Sequence, residues 1–228
     1  LPHVLANFPS MYQRGDAVDR VIEIITVEIG RRNALMDQYE VDDIVEYRVK
    51  RAAAPGQYPP LPELMVLVDE VREFVRVHPV VAPFLFRLEQ VGRALGIHLI
   101  LSCQAIDPHQ LSEMVHHWSF GISLVVRSPS SSCCVLGVDD AVRLPIGRGA
   151  ALLRVDPDDT LVGFTTFDGM FSIPTASDIV VPRDVVLRRL ASCTVDDCGD
   201  RTLAAALADV PQCPEDHAGD SPDATRTA

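Results

Sequence analysis

Pro59–Phe74 reads PPLPELMVLVDEVREF. Its apolar run, Leu64 to Val68, stops on two acids, Asp69 and Glu70. A short unbroken apolar run after a Pro-rich loop predicts a buried β-strand. Strands that are apolar on both sides belong to parallel sheets covered on both faces by helices. Unpaired carboxylates do not survive in such an interior. Asp69 and Glu70 therefore mark the point where the strand leaves it.

The flanking sequence alternates in the same way. Residues 1–8, LPHVLANF, read as a short strand or its exit, and SMYQRGD as a loop. From Ala17 to Tyr39, Val18, Val21, Ile22, Ile25, Ile29 and Met36 keep mostly to one helical face, with Asp16 as the expected N-cap and Asp19 in the first turn. VDDIVEYRVKR predicts a second short helix, and AAAPGQYPPLP a loop. Phe84, Leu88, Val91 and Leu95 form a helical stripe closed by Gly96. Ile97–Cys103 and Phe120–Val126 predict two more buried strands, with a short helix at Leu111–Val115 between them. The result is an α/β fold, a mostly parallel sheet flanked by helices. GAALLRV and LVGFTTF predict a closing hairpin at the sheet edge. From Asp178 the pattern weakens, and short helices fit 184–191 and 201–209. Residues 196–228 hold eight Asp/Glu against two Arg, which predicts a disordered or loosely tied acidic end.

In a parallel α/β sheet, ligands gather at the C-terminal ends of the strands. An apolar run followed by Asp-Glu is an arrangement that nucleotide hydrolases use there. The Asp orients Mg²⁺ through its water shell, because Mg²⁺ keeps several waters and takes one or two carboxylates. The Glu polarises the water that attacks the γ-phosphate. Gln104, just past the next strand, is placed to touch both the phosphate region and the acids. The plain alternatives are two acids that favour the N-terminal dipole of the next helix, and an ordinary loop glutamine.

The whole-chain totals limit the partners. The chain has 228 residues, 47% of them hydrophobic and 6% aromatic, which suffices for one sizeable domain with an aliphatic core. A formal net charge of -12 argues against general binding of DNA, RNA or anionic lipid, all of which are held by Lys and Arg. The six Cys show no disulfide pattern and read as free thiols in a reducing compartment. No signal peptide is visible, and no apolar run approaches the roughly 18 residues of a membrane span. A start at Leu1 rather than Met points to a fragment.

Five blocks, LPHV, VEIGRR, YPPLPELMVLVDEVREF, QVGRALGIHLILSCQ and VLGVDDAVRLPIGRGAALLRV, occur in that order over residues 1–165. They resemble the FtsK/SpoIIIE-type ATPase domains of EccC, the motor component of mycobacterial type VII (ESX) secretion systems. The resemblance implies the C-terminal portion of a RecA-like P-loop NTPase fold, with ATP and Mg²⁺ as cofactors. It puts Asp69 and Glu70 in the Walker B positions and Gln104 in the sensor position. It also implies partner ATPase domains or subunits, protein rather than DNA cargo, and a place in the cytoplasm, at the inner face of the membrane in a full-length secretion protein. The corresponding division is an ATPase domain over 1–177, a helical extension over 178–210 and a tail over 211–228.

The sequence also departs from the family. No G-x-x-x-x-G-K-[ST] loop occurs in it. In the family that loop precedes the LPH block, so the isolated chain is expected to bind ATP poorly and to show no hydrolysis. DEFAEL of relatives is DEVREF here, Arg-Leu after the Gln is Ala105-Ile106, an Arg in the strand is Gly121, and the Arg before VLG is Cys133 or Cys134. A degenerate, non-hydrolysing assembly module is the alternative. A zinc protein using Cys193, Cys198, Cys213 and His217 is a second one, weakened by its loose spacing, C-x4-C-x14-C-x3-H. His116-His117 read as a helix end, His98 as a hydrogen-bonded core residue and Cys103 as a small buried side chain. Arg93 reads as a cation at a helix C-terminus or as an interface residue.

Overall fold

A computed structural model describes residues 5–8, 11–104, 106, 118–146, 149–155, 160–166, 173–174, 180–181 and 201–210. The expected helices at 111–115 and 184–191, the expected zinc ligands, His116-His117 and the tail from Pro211 lie outside these residues.

Helix α1 spans Gly15–Gln38 and α2 spans Ile44–Ala53. The expected N-cap of α1 is corrected: the helix begins at Gly15, and Arg14 holds the cap position. Arg14 Nη2 lies 3.0 Å from Asp16 Oδ2, so the carboxylate sits inside the first turn, paired with the residue that holds the cap position. The guanidinium also draws the Asp16 carboxyl below its usual range. In α2 the Asp43 carboxylate caps the helix, accepting from the amides of Val45 and Glu46 at 2.8 and 2.9 Å. The Pro-rich loop is tied down by tyrosines. The Tyr47 hydroxyl donates to Pro59 O at 2.8 Å, and that of Tyr39 to Gln57 O at 3.1 Å.

Strand β1 is Leu64–Val68 and β2 is Ile97–Leu101, paired in parallel with Leu64 opposite Ile97 and Val68 opposite Leu101. Between them run α3, Val71–Val77, and α4, Val81–Leu95. Gly96 ends α4 at φ 68°, a conformation that favours glycine, and its carbonyl accepts from Leu64 N at 2.9 Å. One face of this pair packs on α1 and α4, where Leu64, Val66 and Leu99 meet Ile25, Ile29, Leu88 and Leu95. Buried Arg32 stands in the middle of that packing. It pairs with Glu28 at 2.6 Å and donates to the carbonyls of Leu95, Gly96 and Pro62 at 2.8, 3.2 and 2.9 Å.

Strand β3, Phe120–Leu124, differs from expectation. It pairs antiparallel with β4, Ala150–Val155, which pairs antiparallel with β5, Thr160–Thr165. The expected closing hairpin is therefore present. The expected parallel partner of Phe120–Val126 is not found among the described residues, because an apolar run specifies a strand but not its direction. Helix α5, Pro129–Leu136, packs on one face of this sheet. β6 and β7, Ile173–Pro174 and Val180–Val181, form a short antiparallel pair.

Helix α6, Arg201–Ala208, docks on α1 through Leu203, Leu207 and Val210, which are buried with Ala17 and Ile24. This corrects the expectation of a loosely tied end for 201–210, since burial of an i, i+4, i+7 apolar stripe outweighs the surrounding acids. No described helix is long and apolar enough to cross a membrane.

Candidate functional site

The site is built where β1 ends. The parallel ladder continues one step past both strands. Ser102 N donates to Val68 O at 2.9 Å, and Val71 N donates to Ser102 O at 2.9 Å. Asp69 and Glu70 occupy the turn between those two anchors, at the C-terminal lip of the sheet. Asp69 is exposed and Glu70 half-buried.

Two donors converge on Asp69 Oδ1. One is the Glu70 amide at 3.1 Å, the other the Ser102 hydroxyl. Glu70 adopts the left-handed conformation, φ 50° and ψ 45°. For a residue with a Cβ this costs on the order of 1–2 kcal/mol, so the surrounding bonds must hold it. Glu70 takes the N-cap position of α3 without a side-chain capping bond. The acid inside the first turn of α3 is Glu73, which pairs with Arg76. Capping by the Glu70 carboxylate is therefore not what the turn provides.

Gln104 is exposed in the bend after β2. It stands two residues beyond Ser102, hence within about 7 Å of it along the chain. The structure thus brings Asp69, Glu70 and Gln104 to one lip. Cys103 lies between Ser102 and Gln104. Burial pushes its thiol up, and the Glu70 carboxylate adds to the effect. That places Glu70 within electrostatic reach of Cys103 and gives the thiol a poor nucleophile's character.

Two other expectations resolve differently. His98 is corrected: it is not a core residue but partly exposed, with Nε2 3.5 Å from Glu63 Oε2. In the β1–β2 register it stands opposite Met65, whose side chain is exposed. Arg93 lies exposed in the last turn of α4.

A divalent cation that keeps its waters needs only one or two carboxylates, and the exposed Asp69 at a strand end fits that requirement. A triphosphate needs more, namely backbone amides and a lysine. The chain holds one lysine, Lys50. Its ammonium is used at the end of α2, donating to Glu40 O at 2.9 Å and pairing with Glu46 at 3.2 Å. The described residues fit the metal side of a nucleotide site, and no phosphate cradle is found among them. Sequence reasoning missed Ser102, because a serine at a strand exit carries no distinguishing pattern.

No protein-family model matches the chain. EccC4 of the ESX-4 secretion system of Mycobacterium tuberculosis is 34% identical over 167 residues, 72% of this chain and 13% of that protein. The chain thus spans a small part of the length of the curated relatives it matches. Among solved structures, the cytoplasmic domain of the Thermomonospora curvata type VII secretion ATPase EccC matches with a TM-score of 0.73 at 29% identity, over 83% of this chain and 22% of that one. ATPases 2 and 3 of Thermomonospora curvata EccC, solved with a signal sequence peptide, share the fold at a TM-score of 0.59 and 16% identity, over 89% of this chain and 33% of that one.

Proposed function

The chain is a homologue of the EccC proteins of ESX secretion systems, with the fold of their FtsK/SpoIIIE-type ATPase domains, and from that premise we propose that it supplies the acid side of an ATP site whose phosphate cradle comes from outside these 228 residues. Asp69 would hold Mg²⁺ through its water shell. Glu70 accepts a hydrogen bond from the attacking water and so raises its nucleophilicity. Gln104 reads the state of the γ-phosphate. Bound Mg²⁺ supplies charge neutralisation of the phosphates. The rest is positioning by this chain: a rigid strand end, a fixed turn and a glutamine on the adjacent exit.

The observation that carries this reading is the tether between the Asp69-Glu70 turn and the end of β2, which keeps the acids and Gln104 on one lip. The lone lysine supports the second half of it, since Lys50 is engaged at the end of α2. The partners that follow are other ATPase domains or subunits of a secretion motor at the cytoplasmic face of the membrane. Exported proteins recognised through a signal sequence are the expected cargo, by analogy with the peptide bound to the Thermomonospora curvata ATPases.

The isolated chain should show no ATPase activity. In a longer chain that includes a Lys-containing phosphate loop, Glu70→Gln should keep ATP binding and abolish turnover, because an amide cannot assist the attacking water. Retention of turnover by that variant would refute the role given to Glu70.

A further inference from the structure

Ser102 grips the acid turn with three separate groups. Its amide donates to Val68 O and its carbonyl accepts from Val71 N, both at 2.9 Å. Its hydroxyl donates to Asp69 Oδ1, the oxygen that also accepts from the Glu70 amide. The backbone bonds fix where the turn begins and ends. The hydroxyl does something they cannot: it fixes the rotation of the Asp69 carboxylate about its own side-chain bonds. Two donors on one oxygen define the carboxylate plane. The Asp69 side chain is exposed at the lip of the sheet, where the hydration shell of a divalent cation can reach it.

We propose that Ser102 is a positioning residue for Asp69, its hydroxyl holding the carboxylate in the orientation that receives the water shell of a divalent cation. This rests on the reading of Asp69 given above. An exposed aspartate without such a partner samples several rotamers, and each ordering event must then be repeated at every binding. A hydrogen-bonded neighbour removes that cost beforehand, as outer-sphere partners of metal-binding carboxylates generally do. The hydroxyl also closes the loop around Glu70. With Val68 and Val71 anchored by the backbone of Ser102 and Asp69 anchored by its side chain, the left-handed conformation of Glu70 is held from both sides.

The test uses the 228-residue chain and Mn²⁺, a paramagnetic stand-in for Mg²⁺, with broadening of individual backbone amide signals as the readout. In the parent chain, Mn²⁺ should broaden the amides of Glu70, Val71 and Ser102 first, and Asp69→Asn should remove that localised effect. Ser102→Ala and Ser102→Val should each need about tenfold more Mn²⁺ for equal broadening, a typical effect of losing an outer-sphere partner. Ser102→Thr, which keeps the hydroxyl, should behave as the parent. The Thr and Val variants match in shape, so their difference reports the hydroxyl even where the smaller alanine perturbs the turn. Equal Mn²⁺ response in Thr and Val variants, with Asp69→Asn still abolishing it, would overturn the role of Ser102 and leave Asp69 as read. Broadening that ignores Asp69→Asn would overturn both.

Discussion

The two faces of β1 carry the same kind of side chain and meet different surroundings. Leu64, Val66 and Val68 point toward α1 and α4 and join the packed interior. Met65 and Leu67, alternating with them, are 57% and 70% exposed. The antiparallel sheet repeats the contrast. Gly121 and Ser123 are buried on the side of α5, whereas Phe120, Ile122 and Leu124 on the opposite face are exposed. Apolar character sets what a face can bury, and a neighbouring element decides whether it is buried. The covered faces are also fastened by polar atoms, chiefly the guanidinium of Arg32, while no described element lies over Met65 or Leu67.

The strongest way to break this contrast is to remove that fastening. Arg32→Ala takes a donor from the carbonyls of Leu95, Gly96 and Pro62 and removes one of the two guanidiniums on buried Glu28, which stays paired with Arg31. With the Glu28 charge still paired to Arg31, losing these charge-assisted bonds to buried carbonyls costs about 1.5–3 kcal/mol. Urea unfolding followed by circular dichroism should show a loss of that size. A loss below about 1 kcal/mol would mean that Arg32 does not fasten the covered face.

Next in size is Gly121→Ala. An added Cβ would lie 2.4 Å from Val135 O and 2.9 Å from Val135 Cγ1. Helix α5 must move or β3 must bend, at a cost of about 1–3 kcal/mol by the same unfolding measurement. A stability unchanged by the methyl group would show that α5 is not seated on β3 as described.

The strand β1 and its two acids were legible in the sequence because length, composition and an abrupt polar stop coincide there. The closing hairpin was legible for a similar reason, two β-prone runs separated by turn residues. Arg32 was legible in principle. Ile25, Ile29, Arg32 and Met36 form one helical stripe, and an arginine in an apolar stripe with Glu28 four residues before it signals a buried pair. It was passed over because arginines on helices are usually solvated. The docking of α6 was hidden by a count of charges over the segment, although Leu203, Leu207 and Val210 carry the spacing. The pairing of β3 and the exposure of Met65 and Leu67 could not be read at all. Both depend on which elements come to lie beside a strand, and residue type says nothing about that. Ser102 belongs to the same group, since its role exists only once β1 and β2 are in register.

The smallest expected effect is the sharpest probe of the two faces. Leu67→Thr replaces an exposed apolar side chain on a strand with a β-branched polar one, favourable to the pleated backbone and able to bond to water. Its unfolding free energy should stay within about 0.5 kcal/mol of the parent chain. Light scattering at high protein concentration should fall, because an exposed apolar patch drives association. Val66→Thr, one residue away, makes a nearly isosteric change on the covered face. There the hydroxyl is drawn from water into apolar packing, which costs about 1–3 kcal/mol unless it finds a partner. The two substitutions share a strand and a product residue, so local propensity cancels between them. What remains is the difference between a face closed by α1 and α4 and a face that no described element covers. Equal costs at positions 66 and 67 would mean that the strand is buried, or open, on both sides alike.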